Sequence, residues 1–152
     1  LKNRRAKQRK PKKARKLPPL EKALFCAQVA ADHKAESLLV YHVSEIASFA
    51  DYFVICSGRS TRHVQGIAGH IEAALGQLKI KPMGVEGLTE GQWVLLDYND
   101  VIVHIFYEPM RVFYDLEGLW WEARQIEFKE GRSSQTIRSR RTEPATGQGL
   151  DE

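Results

Sequence analysis

The stretch DYFVICSGRSTRHVQGIAGHIEAALGQL, residues 51–78, decides how this chain folds. Asp51 to Ser57 is a near-continuous apolar run, which predicts a strand buried on both faces. Gly58 breaks it. Ser60 stands where a side-chain oxygen accepts a bond from a free N–H at the start of a helix. Val64, Ile67, Ile71, Leu75 and Leu78 then recur at helical spacing, so residues 61 to about 79 read as an amphipathic helix. Gly66, Gly69 and Gly76 each weaken that helix by roughly 1 kcal/mol relative to Ala. Close packing on a sheet would compensate.

Working upstream, Ser44 to Ala50 is a loop and Ser37 to Val43 (SLLVYHV) is a second apolar strand. Before it, Glu21 to Lys34 reads as a helix with Leu24, Phe25 and Val29 as its apolar residues, opened by Pro18-Pro19. Downstream, Lys81 to Gly91 is a Pro/Gly-containing connection with one short strand around Val85. Gln92 to Asp97 and Val101 to Tyr107 form a hairpin turning at Asn99-Asp100. Pro109 ends the second strand, and Arg111 to Arg124 reads as the last helix. The expected fold is α/β, with a mixed four- to five-stranded sheet flanked by helices.

Charge divides the 152 residues into three parts. Residues 1–20 hold ten Lys/Arg and no acid, whereas residues 21–123 hold seven Lys/Arg against fourteen Asp/Glu. The net charge of +4 therefore describes neither part. Self-repulsion predicts a basic, disordered arm over 1–20, a folded domain over 21–123 and a flexible tail over 124–152. An acidic domain repels phosphate and favours a basic protein partner. The arm has the opposite preference. Arg4, Arg5, Lys10, Lys12, Lys13 and Arg15 would meet RNA phosphates without reading bases, and a solvated solubility tail is the plainer alternative.

Several function classes are excluded on the same evidence. No run of 18 or more apolar residues exists for a transmembrane helix, and no secretory leader is seen. Cys26 and Cys56 lie in apolar surroundings without a CxxC pattern, so a zinc site is not expected and a reduced compartment is. Gly58-Arg59-Ser60 could cradle a phosphate on free N–H groups. Two-metal nucleotidyl transfer would also need acids at i and i+2 on one strand. The hairpin offers Asp97 but Asn99 two residues on, and Asp115 with Glu117 fall in a helical pattern, where that spacing diverges by about 200°. The expectation is no enzyme, no cofactor and no metal. A nucleotide-binding or nucleotidyl-transferring enzyme is the alternative.

The aromatic residues carry more. Phe113, Leu116 and Trp120 share one helical face and read as core. Tyr114 and Trp121, seven apart, would form an exposed strip suited to a protein interface, or equally the edge of a crowded core. His104 reads first as a core histidine and, alternatively, as a contact. The expected partner surface is Asp97, Tyr98, His104, Phe106, Arg111, Tyr114, Asp115 and Trp121. Arg111 would orient the patch by pairing with Asp115 four residues on.

The ordered set of motifs is similar to one family. Asp51-Tyr52-Phe53-Val54-Ile55 leads into Ser57-Gly58-Arg59-Ser60. Glu86-Gly87, Trp93-Val94-Leu95-Leu96-Asp97-Tyr98 and Val103-His104-Ile105-Phe106 follow, then Arg111-Val112-Phe113-Tyr114-Asp115-Leu116-Glu117-Gly118-Leu119-Trp120. This resembles the Iojap family, the ribosome silencing factors of bacteria and organelles, over roughly residues 22–123. Asn99 stands where the family has Gly in the hairpin turn, and Asn accepts the same left-handed dihedrals.

The resemblance implies a nucleotidyltransferase-like fold and binding to the large ribosomal subunit through its fourteenth protein. The bound factor would block joining of the small subunit and repress translation under nutrient limitation. It implies a bacterial cytoplasm, with an organellar matrix as the alternative. A homodimer of the free protein is compatible with the sequence, and no membrane partner is expected.

Overall fold

The computed structural model describes residues 17–115, 118, 122–128 and 137–139. They form one mixed seven-stranded sheet. In chain order its strands are β1 (Glu36–His42), β2 (Tyr52–Gly58), β3 (Gly84–Glu86), β4 (Trp93–Asp97), β5 (Val101–Tyr107), β6 (Arg124–Ile126) and β7 (Ile137–Ser139). Their spatial order is β3-β4-β5-β2-β1-β6-β7. Three helices are described in full: α1 (Pro19–Asp32), α2 (Thr61–Gln77) and α3 (Glu108–Tyr114).

The two strands with the longest apolar runs, β2 and β5, lie side by side in parallel near the middle of the sheet, with Tyr52 opposite Val101 and Gly58 opposite Tyr107. Every residue of β2 is buried, as a central strand covered on both faces requires. The remaining pairings are antiparallel.

Side-chain alternation sorts the strands into two layers. Val54, Cys56, Val94, Leu96, Val101, Val103 and Ile105 point to one face and pack under α1 and α2. Phe53, Ile55, Ile102 and Phe106 point to the other, where Trp93, Leu95 and Met110 of α3 join them. Helix α1 approaches closely because its buried side is small: Ala23, Cys26, Ala27 and Ala30 accompany Leu24. Phe25 and Val29, named with Leu24 as its apolar residues, are only half-buried. Its first turn is tied to the β4–β5 turn by Lys22 Nζ, which donates to Asp100 Oδ1 at 2.7 Å.

The cap on α2 forms as expected, with Ser60 Oγ accepting the His63 N–H at 3.0 Å. Packing demands glycine at position 58, since a Cβ there would lie 2.9 Å from Val64 Cγ2. Gly66, Gly69 and Gly76 have open space where a Cβ would sit. Sheet packing therefore does not explain them.

Four expectations need correction. The sheet has seven strands rather than four or five, because β6 and β7 extend it beyond β1. Residues 124–126 and 137–139 of the expected tail are thus paired strands. The last helix starts at Glu108, because proline fits a first helical turn. It stops at Asp115, whose left-handed backbone (φ 46°) ends the helix instead of continuing it to Arg124. Finally, Met110 and Arg111 turn inward, and Tyr114 lies partly against Trp93, as about 100° per residue dictates. Phe113 is left 75 % exposed, not in the core. Of the expected arm over 1–20, residues 1–16 lie outside the described residues, whereas Pro19 and Leu20 already belong to α1; Leu116, Glu117, Leu119, Trp120 and Trp121 also lie outside the described residues.

Candidate functional site

The face of the sheet opposite α1 and α2 carries a line of rings. Trp93 on β4 sits opposite Phe106 on β5, and the two stack at 5.0 Å between centroids. Tyr114 from α3 closes on Trp93 at 4.6 Å and on Phe106 at 6.3 Å. Phe113 meets the edge of Tyr114 at 5.1 Å. In the other direction His104 lies 6.0 Å from Trp93 and 4.9 Å from Phe53, which in turn reaches Phe49 at 6.1 Å. The line runs from the loop after β1 to the end of α3.

Its two ends are exposed and its middle is not. Tyr114, Phe113 and Val112 present apolar surface at the α3 end, as do Ile46 and Phe49 at the loop end. Phe53, His104 and Phe106 are buried between them. Contiguous exposed aromatics over a packed base mark protein interaction sites. Carboxylates of Glu108 and Asp115 stand exposed on the same helix segment. They would attract cationic side chains of a partner.

His104 has one geometry available. Its Nδ1 accepts the Trp93 indole N–H at 3.2 Å, so the ring proton sits on Nε2. Burial holds its pKa down to about 4, so the ring is neutral at physiological pH. Nε2 has no hydrogen-bond partner.

The expected contact residues separate on inspection. Tyr114 and Asp115 are exposed and adjacent. Tyr98, Phe106 and His104 are buried, so none presents a side chain to a partner. Tyr98 packs under α1 and α2 instead, on the opposite face, because β4 alternation carries it there. Burial raises its hydroxyl pKa, and the oxygen finds no partner. Asp97 is half-buried and uses Oδ1 to accept the Asn99 N–H at 2.8 Å, fastening the hairpin turn. Arg111 is buried and donates from Nη1 to Ser57 Oγ at 2.8 Å. Trp121 and the arm residues Arg4, Arg5, Lys10, Lys12, Lys13 and Arg15 lie outside the described residues. Trp93 was missed as a site residue. Its position two residues before Leu95, on the strand facing Phe106, is the signal that would have found it.

The turn after β2 and the two cysteines have the following surroundings. At the β2–α2 turn the Arg59 N–H is donated to His63 Nδ1 at 3.0 Å, and the His63 N–H goes to Ser60 Oγ. Nε2 of His63 then donates to the His33 carbonyl at 2.9 Å. These bonds take up the Arg59 and His63 N–H groups at the turn. Burial pushes the Cys26 and Cys56 thiols up to about 12, which removes their nucleophilic form at neutral pH. Among the described residues no group of three or more His, Cys, Asp or Glu could hold a metal ion, and no helix is long and apolar enough to cross a membrane.

Comparison with known proteins agrees with the resemblance carried by the motifs. A family model described as "Ribosomal silencing factor during starvation" matches residues 16–150. The Bacillus subtilis protein "Ribosomal silencing factor RsfS" is 40% identical over 99 residues, covering 65% of this chain and 84% of that protein. The mouse protein "Mitochondrial assembly of ribosomal large subunit protein 1" is 30% identical over 89 residues, 57% of this chain and 39% of that one. A crystal structure of a Bacillus halodurans protein superposes with a TM-score of 0.61 at 33% identity, covering 71% of this chain and 95% of that chain.

Proposed function

This chain belongs to the ribosomal silencing factor family, and from that premise we propose that it binds the large ribosomal subunit through that subunit's fourteenth protein, blocks joining of the small subunit and represses translation under nutrient limitation. It does so as a docking protein and not as an enzyme. One observation carries the docking site: the exposed Tyr114–Phe113 ring pair on α3, braced from beneath by Trp93 and flanked by Glu108 and Asp115.

The physical logic is that of a hot spot. Tyr114 offers a large ring already fixed by Trp93 and Phe106, so little side-chain entropy remains to be lost on binding. Phe113 beside it is apolar surface held in water, and a partner would release that water. The two carboxylates select a partner bearing Lys or Arg and repel phosphate. A basic ribosomal protein meets both conditions. The arm of residues 1–20, with its ten positive charges, adds non-specific attraction to ribosomal RNA nearby.

Co-sedimentation with separated ribosomal subunits tests the reading. The chain is expected to pellet with the large subunit and not with the small one at moderate salt, and Tyr114→Ala is expected to release it. Equal sedimentation with both subunits would overturn it.

A further inference from the structure

Strand β3 lies at one edge of the sheet and pairs only with β4 among the described residues. The bonding of the neighbouring strands fixes which way its backbone groups point. The Tyr98 N–H donates to the Val101 carbonyl and the Tyr107 N–H to the Gln92 carbonyl, both at 2.9 Å. Bonded and non-bonded residue pairs alternate along an antiparallel pair. Even-numbered residues of β4 therefore bond to β5, while Leu95 and Asp97 turn their backbone groups toward β3. The Asp97 carbonyl does accept from that side, taking the Met83 N–H at 2.6 Å. In register, Leu95 and Asp97 stand opposite Glu86 and Gly84. Val85, between those two, is left with its N–H and C=O both facing away from the sheet. Pro82 has no N–H, and the Gly87 carbonyl accepts the Gly91 N–H across a turn. The open edge is thus one residue long.

Charge is ordered along this edge. Lys79 and Lys81 precede β3 in the chain, Glu86 and Glu90 follow its midpoint, and all four are exposed. Met83 and Leu88, on either side of β3, expose apolar surface. The order of base, apolar residue, strand, apolar residue and acid is its own complement when reversed. A second copy laid antiparallel, with Val85 opposite Val85, exchanges two backbone bonds across a two-fold axis. The basic end of each copy then meets the acidic end of the other, and Met83 of each approaches Leu88 of the other. A parallel arrangement would instead set Lys against Lys and Glu against Glu.

We infer that β3 is a self-association edge, through which two copies of this chain pair antiparallel about Val85. Exposed strand edges are templates for such pairing. An unrelated extended peptide would gain the same backbone bonds, but it would have to carry the reversed charge order that a second copy supplies by symmetry. One backbone pair with short flanks makes the contact weak and reversible. The inference does not rest on ribosome binding, since no residue of the ring line takes part.

Sedimentation velocity and ¹⁵N amide shifts of the full chain, followed from micromolar to near-millimolar concentration, test it. A monomer–dimer equilibrium is expected, with the Val85 amide shifting in step with the dimer fraction. Lys79→Glu with Lys81→Glu makes both ends of the edge acidic, and Glu86→Lys with Glu90→Lys makes both basic. Each double variant alone is expected to associate about tenfold more weakly or worse, because like charges now meet. Mixed in equal amounts, the two are expected to recover association, because their ends are complementary again. All four positions are exposed, so melting temperatures should stay unchanged. If a variant does not fold, the Val85 shift of the native chain still decides. The proposal is overturned if the native chain stays monomeric throughout or dimerises without a Val85 shift. It is equally overturned if either double variant alone dimerises as tightly as the native chain, or if the mixture recovers nothing.

Discussion

The indole N–H of Trp93 is donated to Nδ1 of His104 across the β4–β5 pair, at 3.2 Å. This bond fixes which nitrogen of the histidine carries the proton and holds the tryptophan ring over Phe106. The exposed Tyr114 is then supported from below by Trp93. A buried polar contact thus sets the position of a surface ring.

The burial of His104 makes stability depend on pH. Burial lowers the His104 pKa from 6.5 to about 4, so the unfolded chain takes up the proton before the folded one does as pH falls. The stabilisation is fully present above the ordinary histidine value and is lost as pH drops from 6.5 toward about 4, by at most about 3 kcal/mol. Denaturant melts across that range should show this slope in the native protein. His104→Gln should flatten it. Parallel slopes for both would mean that His104 is not held neutral by burial.

The two tyrosines nearest the expected interface should behave in opposite ways. Tyr114→Ala should weaken large-subunit binding by about 2 kcal/mol or more, the size of a hot-spot truncation, while stability falls by only about 1 kcal/mol. Tyr98→Ala should cost about 3–5 kcal/mol of stability by leaving a cavity under α1 and α2. Tyr98→Phe should be neutral or stabilising, since it deletes a buried hydroxyl that has no partner. A melting curve and a binding curve for each variant separate the cases.

Phe113→Ala provides the sharpest contrast with the sequence expectation. As a core residue it would cost about 3–5 kcal/mol. Exposed on α3, it should change stability by no more than about 0.5 kcal/mol and instead weaken docking. Thermal melts decide this without any ribosome.

Ser60→Ala removes the acceptor for the His63 N–H at the start of α2. The loss should be about 1 kcal/mol, read as a lower denaturation midpoint. Ser60→Asp should restore most of it, because a carboxylate accepts the same bond and favours a helix N-terminus.

Removal of residues 1–16 should flatten the salt dependence of ribosome binding while leaving the choice of subunit intact. Measuring affinity at several salt concentrations gives the slope directly. An unchanged slope would show that the arm does not contact phosphate.

Local signals alone settled much of this protein. The apolar runs gave β2 and β5, helical spacing with a Ser60 cap gave α2, and Asn99-Asp100 placed the hairpin turn, because each rests on interactions within a few residues. The motif order pointed to the family for the same reason: it is a one-dimensional property. What tertiary structure alone decided is which side each residue faces. Residues 124–126 form a strand only because β1 offers them an edge, and nothing in Arg-Gln-Ile announces that pairing. Asp115 ends α3 through one left-handed residue, and the register that buries Arg111 leaves Phe113 facing outward. Tyr98 and Tyr114 are both aromatic residues beside acids in sequence. One became core and the other surface because β4 alternation carried Tyr98 under the helices, while α3 set Tyr114 against Trp93 at the rim of the opposite face.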